Sequence, residues 1–137
     1  MEGEMMLEIA VKEIENSIGS DDFELVMEDN IMKLEIQNIG IEAVKPLLQL
    51  MERHPLVDFG VPGAIVHFVE RFYKKGYEEL LVESIKRKPT MHTVWMLNRI
   101  INGSENKKDY IELMKAIIEH NDVEDEIRNQ ARAFMNT

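Results

Sequence analysis

The amino-acid sequence predicts an all-α protein: a short right-handed stack of antiparallel helical hairpins, HEAT- or armadillo-like, with about eight helices. Apolar residues recur at intervals of three and four along most of the chain, as they do on one face of a helix. Short segments containing Gly, Pro, Ser or Asn interrupt this periodicity and mark helix ends. No β-branched run alternates with polar residues as a strand would. An irregular helix bundle is the alternative architecture.

The 137 residues fit one domain, 1–137, in which acidic helices over residues 1–36 precede a hairpin stack over residues 40–135. Hydrophobic residues make up 45% of the chain, which is enough to bury a core. The chain has no cysteine, so disulfides and thiolate zinc sites are excluded. Acidic residues near the N-terminus do not fit a signal peptide, and no segment approaches the ~20 apolar residues of a membrane span. These features predict a soluble cytoplasmic protein.

Two amphipathic helices are predicted in the N-terminal part of the chain. The first covers Glu4–Ile18 and ends at a Gly-Ser pair. The second ends near Ile36 and is followed by a turn at residues 38–40. Asp21 is its predicted N-cap, because Glu24 follows three residues later in the capping-box position.

The segment Gly40–Tyr73 predicts a central hairpin whose two helices are separated by a Pro- and Gly-containing corner at residues 54–63. Pro55 disfavours helical geometry at His54, so the first helix should end there. Pro62 suits the first position of the second helix, where a missing N–H costs nothing. The corner is expected to fold inward because it carries apolar side chains, which are Leu56, Val57 and Phe59.

Two more hairpins are predicted at Tyr77–Asn102 and Asn106–Met135. With the central hairpin they give helical pairs of roughly thirty residues, near the lower limit for helical-pair repeats. The residues predicted to cap helix N-termini in this part are Thr90, Asn106 and Asn121. Glu124 would complete a capping box with Asn121.

Five residues of the hairpins attract attention by their type and surroundings. Trp95 is expected to be largely buried, so that Trp95→Ala would cost ~3–5 kcal/mol. Asn98 lies among apolar neighbours, where a buried amide needs hydrogen-bond partners. His67 is expected to be a hydrogen-bonded residue at the margin of the core. Glu70 and Lys74 are one helical turn apart and form a predicted ion pair.

No catalytic or cofactor motif occurs in the chain. The histidines lack metal-site spacing such as HExxH, and there is no Gly-x-Ser-x-Gly nucleophile elbow. The corner segment 58–63 precedes a predicted helix, as anion sites do, but it has Asp58 where a phosphate requires a cation. We therefore expect no enzymatic activity, no metal and no cofactor.

The net charge of −10 is concentrated near the N-terminus, since residues 1–35 contain eleven acidic and two basic residues. Such a field repels nucleic acid and attracts basic partners, although acidic helices also serve solubility alone. The acidic residues predicted to bind a partner surround the first helix–helix turn; they are Glu13, Glu15, Asp21, Asp22, Glu24, Glu28 and Asp29.

A second candidate surface follows from the predicted stack. The second helices of successive hairpins line the concave face of such stacks, which is the usual binding face. Glu70, Arg99 and Asn102 lie on these helices and are the predicted binding residues there. The alternative is that they support the fold internally.

The segments HPLVDFGVPGAIVHFVE, SIKRKPT and TVWMLNRIING resemble a group of small bacterial immunity proteins, over roughly residues 40–105. Proteins of this group are cytoplasmic antidotes encoded beside polymorphic or contact-dependent toxins. The resemblance implies that the chain binds a cognate toxin domain and blocks it, without enzymatic activity. Because many toxin domains act on nucleic acid and are basic, the acidity of this chain favours a nuclease-type toxin. The alternative function is a helical-repeat adaptor with another protein partner.

Overall fold

Helices account for all the regular structure in the part of the chain that the computed structural model describes, residues 2–60 and 63–136. This part contains eight α-helices, one short 3₁₀ helix at Ile41–Ala43 and no β-strand. The α-helices are α1 (Glu2–Asn16), α2 (Phe23–Ile36), α3 (Val44–Arg53), α4 (Ala64–Glu70), α5 (Tyr77–Arg87), α6 (Met91–Gly103), α7 (Lys108–Glu119) and α8 (Asp125–Met135). The all-α prediction and its number of helices are confirmed.

The helices pack as a stack of pairs. Within pairs, α1 contacts α2, α5 contacts α6, and α7 contacts α8. Between pairs, α3 packs against both α1 and α5, α4 packs against α2, and α8 packs against α6. The predicted central hairpin is therefore held in place mainly by its neighbours, and less by contact between its own two helices. The right-handed sense of the stack stays a prediction.

One hydrophobic cluster runs through the stack, and every α-helix contributes buried side chains to it. The buried residues repeat at helical spacing, as Leu7, Ala10 and Ile14 do on α1. The corner between α3 and α4 also enters the core, because Phe59 is fully buried. Leu56 of the same corner is 46% exposed, so the expected inward fold applies to only part of it.

Two predicted helix ends are confirmed. Helix α3 ends at Arg53 and His54 is its C-cap, as the following Pro55 requires. Thr90 caps α6: its hydroxyl accepts from the Thr93 N–H at 3.0 Å, and the Thr93 hydroxyl accepts from the Thr90 N–H at 3.0 Å. The predicted role of Pro62 lies outside the described residues.

Three predicted N-caps are wrong, those at Asp21, Asn106 and Asn121. The residues that precede α2, α7 and α8 are Asp22, Lys107 and Glu124. A backbone hydrogen-bonded turn precedes α2 and another precedes α8, so these two helices begin later than predicted. The Phe23 N–H donates to the Ser20 carbonyl at 3.2 Å, and the Val123 N–H donates to the His120 carbonyl at 3.2 Å. Such turns place Asp21 and Asn121 in the loop before the helix.

The predicted ion pair between Glu70 and Lys74 is also wrong. Helix α4 ends at Glu70, and Lys74 takes a left-handed backbone conformation with φ of 63°. Its N–H donates to the Glu78 carboxylate at 2.9 and 3.0 Å. Glu70 pairs instead with Arg99 of α6, at 2.8 Å.

Trp95 is only partly buried, which corrects the prediction of a largely buried side chain. Its ring packs against the core on one side, and the Arg99 guanidinium lies over it, 4.9 Å from the ring centroid. Trp95→Ala should therefore lower the free energy of unfolding by about 2 kcal/mol, less than a core tryptophan would. Urea denaturation followed by circular dichroism measures this, and Trp95→Phe should retain most of the stability. If Trp95→Ala lowered the free energy of unfolding by more than ~3 kcal/mol, Trp95 would be a core residue after all.

Candidate partner-binding surface

The corner between α3 and α4 is fixed to two helices that frame the first candidate surface. The Phe59 ring meets the rings of Phe23 on α2 and His92 on α6 edge-on, each at a centroid distance of 5.6 Å. The Phe59 N–H donates to His92 Nε2 at 2.8 Å. On the other side of the corner, the Met91 N–H donates to the Pro55 carbonyl at 3.0 Å. The corner is thus a supported element with a defined position beside α2.

An open depression of about 800 Å³ lies between α2, the corner and the beginning of α4. We name it the acidic groove, because four carboxylates line it: those of Asp21, Glu24, Glu28 and Asp58. Phe23, which is partly buried, contributes apolar surface, and His67 of α4 also lines the groove. Among the described residues that line the groove there is no Lys or Arg. The groove therefore presents negative charge on a partly aromatic surface.

The acids of this groove are left unneutralised by the protein itself. Asp21, Glu24 and Glu28 are exposed and have no ion-pair partner among the described residues. Asp58 accepts a hydrogen bond from the Gly60 N–H at 2.8 Å and lies 3.9 Å from His92 Nε2. Clustered like charges raise the local potential and attract cationic groups.

Glu15, also predicted to bind a partner, has intramolecular partners instead. Its carboxylate accepts from Arg53 Nε at 2.9 Å and Nη2 at 3.1 Å, and lies 2.6 Å from His54 Nε2. The hydrogen bond from Arg53 lowers the pKa of Glu15; partial burial raises it, and His54 lowers it further. Glu15 thus joins α1 to the end of α3, and its role in partner binding stays a prediction.

The other predicted acids lie on exposed surface outside the lining of the groove. Glu13 is exposed on α1, and Asp22 is exposed immediately before α2. Asp29 forms a surface ion pair with Lys33 one turn later, at 3.2 Å. Such an exposed pair contributes little to stability, so Asp29 remains available to a stronger cationic partner.

The second predicted set, Glu70, Arg99 and Asn102, comes together in a separate depression of about 510 Å³. We name it the polar pocket. The Arg99 guanidinium bonds the Glu70 carboxylate through Nε at 2.8 Å. Two tyrosines that were named only as ends of predicted hairpins complete the pocket, Tyr73 and Tyr77. No local signal in the sequence could place them beside Arg99, because that residue is distant along the chain.

Tyr77 is the unusual member of the polar pocket. Its side chain is 1% exposed, and its hydroxyl has no hydrogen-bond partner among the described residues. Burial, together with the nearby Glu70 and Glu78 carboxylates, raises the pKa of Tyr77. A buried hydroxyl without a partner has an unmet requirement for a hydrogen bond, which a water molecule or a bound group can supply.

Two further residues lie differently from their predicted positions. His67 is exposed and not at the core margin, because Ile65, Val66, Phe68 and Val69 occupy the buried side of the short helix α4. Asn98 is only partly buried, so its amide is not enclosed by the apolar neighbours that surround it in sequence. His67 thereby contributes the only imidazole among the described residues that line the acidic groove.

Protonation of His92 should destabilise the fold at mildly acidic pH. Nε2 accepts a hydrogen bond and so requires the neutral ring; burial lowers the pKa of His92, although the Asp58 carboxylate and the Val57 carbonyl raise it. The unfolded chain binds this proton below about pH 6.5 while the folded protein does not. The free energy of unfolding should therefore fall as the pH drops below about 6.5, by up to ~1.4 kcal/mol per pH unit.

Urea denaturation between pH 7 and pH 5 measures this dependence, above the range in which Glu15 loses its charge. His92→Gln should reduce the slope. An unchanged slope in the His92 variant would show that another group is responsible.

The chemistry that these surfaces offer is charge and hydrogen bonding. In the described part of the chain, no three His, Asp or Glu side chains lie close enough together to hold a metal ion. Over the same residues, no helix combines the length and the apolar character that crossing a membrane requires. No protein-family model, curated protein or solved structure matches the chain.

Proposed function

We propose that the protein is a cytoplasmic immunity protein that binds a cognate bacterial toxin domain, of the basic nuclease type, and neutralises it by occluding its active site. The acidic groove carries this proposal, because it gathers four carboxylates on one open surface without a described Lys or Arg in its lining. A cleft that binds nucleic acid is basic and complements such a surface. The resemblance of residues 40–105 to immunity proteins indicates the class of partner, a bacterial toxin domain.

The groove suits fast capture of a partner for two physical reasons. Its negative field steers a basic domain toward it, and steered association reaches 10⁸–10⁹ M⁻¹s⁻¹ at low salt, against roughly 10⁵–10⁶ M⁻¹s⁻¹ without steering. Its walls are a helix and a corner anchored by Phe59, so little ordering should be required on binding. An antidote must act before its toxin does, and rapid association serves that purpose.

The alternative is a helical-repeat adaptor that binds another protein through the polar pocket. The observation that favours it is the buried Tyr77 hydroxyl, which has no described hydrogen-bond partner beside the Glu70–Arg99 pair. A partner group that separates Arg99 from Glu70 would open the pocket to that hydroxyl and bond it. The two proposals place the interface on different surfaces, so they can be separated by mutation.

The deciding experiment is a pull-down of the C-terminal domain encoded by the adjacent gene, followed by rescue of growth in cells that express that domain. Under the immunity proposal the wild-type protein binds and rescues. Conversion of Asp21, Asp22, Glu24 and Glu28 to amides should weaken both effects. Charge reversal at Glu70 and Arg99 should leave them intact.

Two outcomes would contradict the proposal. If the wild-type protein neither binds the domain nor rescues growth, the immunity function is wrong and the adaptor takes its place. If the reversal at Glu70 and Arg99 abolishes binding while the amide variant binds normally, the interface is the polar pocket and not the acidic groove.

A further inference from the structure

Helix α2 exposes a row of large apolar side chains that the fold does not cover. Leu25, Met32 and Ile36 are 66%, 54% and 66% exposed, although each is of a type that normally lies in the core. Their spacing of seven and four residues places them on one side of the helix, within about 40° of one another. The buried residues of α2, among them Met27 and Leu34, lie on the opposite side. We name the row the apolar stripe.

A row of glutamates runs beside the apolar stripe on the same helix. Glu24, Glu28 and Glu35 repeat at four and seven residues, about 80° around the helix from the stripe. The row faces α4, because Glu24 and Glu28 line the acidic groove together with Ala64, while the Glu35 carboxylate lies 3.2 Å from the guanidinium of Arg71, the C-cap of α4. An apolar ridge about 16 Å long and an acidic groove therefore lie side by side.

We propose that α2 binds a basic amphipathic helix, whose apolar side packs on the apolar stripe while its Lys and Arg side chains reach into the acidic groove. This is the helix-in-groove mode of recognition, in which anchors at helical spacing bind an apolar surface. The stripe matches it in length, since 16 Å corresponds to about three turns of helix. Met32 adds a flexible side chain that adapts to different apolar contacts. The inference rests on the proposed function, in that it names the element of a basic partner that binds.

Charge argues against two other occupants of the same surface. A second copy of this chain would bring another molecule of net charge −10 with the same acidic groove, so like charges would face each other. An anionic membrane would meet the same repulsion. A basic amphipathic helix satisfies the apolar and the acidic surfaces at once.

A synthetic probe tests the inference without knowledge of the natural partner. The probe is a fluorescein-labelled peptide of about 18 residues with Leu on one helical face and Lys on the other, and the control peptide has the same composition in scrambled order. Fluorescence anisotropy should show that the full-length protein binds the amphipathic peptide at least ~10-fold more tightly than the scrambled one. The triple variant Leu25→Gln, Met32→Gln, Ile36→Gln should lose most of this difference.

Matched variants separate the stripe from general apolar and charge effects. Leu56→Gln removes an apolar residue that is 46% exposed outside α2 and should bind as wild type. Glu24→Gln with Glu28→Gln should weaken binding at low salt and reduce its salt dependence. Circular dichroism of each variant verifies that the helices remain formed.

Each failure has its own signature. Equal binding of both peptides, or wild-type binding by the triple variant, would overturn the inference. Loss of toxin-domain binding in the acid-to-amide variant would still support the proposed function in that case. If the peptide binds the stripe but the toxin domain neither binds nor is neutralised, the proposed function fails and the inference stands. Sedimentation equilibrium that shows a dimer, lost in the triple variant, would assign the stripe to a second copy and overturn the inference.

Discussion

Phe59→Ala should lower the free energy of unfolding by ~3–5 kcal/mol, the cost of emptying a large core site. The Phe59 side chain is fully buried and lies between Phe23 of α2 and His92 of α6. Its removal would leave a cavity between the corner, α2 and α6. Because Phe59 holds in place the corner that forms one wall of the acidic groove, the same change should weaken binding of a basic partner.

Urea denaturation monitored by circular dichroism measures the first effect. Leu56→Ala is the matched control, since this residue belongs to the same corner but is 46% exposed, and its cost should stay below ~1 kcal/mol. A cost of less than ~1 kcal/mol for Phe59→Ala would mean that the corner does not depend on this ring.

Conversion of Asp21, Asp22, Glu24 and Glu28 to their amides should slow association with the cognate toxin domain by about 10- to 100-fold at low salt. These four side chains are exposed around the start of α2, and three of them line the acidic groove. Their loss removes the field that steers a basic partner, so the dependence of the association rate on salt should also flatten. Dissociation should change less, because rim charges act mainly on the rate of encounter.

Stopped-flow or surface-plasmon measurements at several salt concentrations give both rates. The control variant converts four exposed acids around α7 to amides, Glu105, Asp109, Glu112 and Glu119, and changes the net charge by the same amount. Equal slowing in both variants would show that net charge alone steers the partner and that the acidic groove has no special role.

The helices themselves were predictable because their signals are local. Apolar periodicity identified all eight, and strong local restrictions placed the end of α3 before Pro55 and the start of α6 after Thr90. Weaker local signals gave wrong helix starts. Asp21 and Asn121 were predicted as N-caps, but each lies in a backbone hydrogen-bonded turn that precedes the helix. Handedness depends on how whole helices pack, and no local pattern reports it.

Of the acidic groove, the sequence predicted only that negative charge is concentrated in the N-terminal part of the chain. The count of acids in residues 1–35 indicated which third of the chain is negative, but sequence distance does not reveal which carboxylates share a surface. Chain folding placed Asp58 of the corner beside Glu24 and Glu28, and it turned Glu15 toward Arg53 and His54. The apolar periodicity of α2 likewise did not show that part of its surface remains uncovered.

The sequence by itself therefore determined that the chain is helical, where its strongest helix ends lie, and that its N-terminal third is acidic, since each depends on nearby residues or on a sum over residues. The tertiary structure decided the exposure and partners of individual side chains, which depend on residues distant in sequence. Trp95 lies half-buried beneath Arg99, and His67 is exposed in the lining of the acidic groove, because the packing of α4 and α6 leaves those positions at the surface. Burial and ion pairing are properties of neighbours in space, and only the folded chain brings those neighbours together.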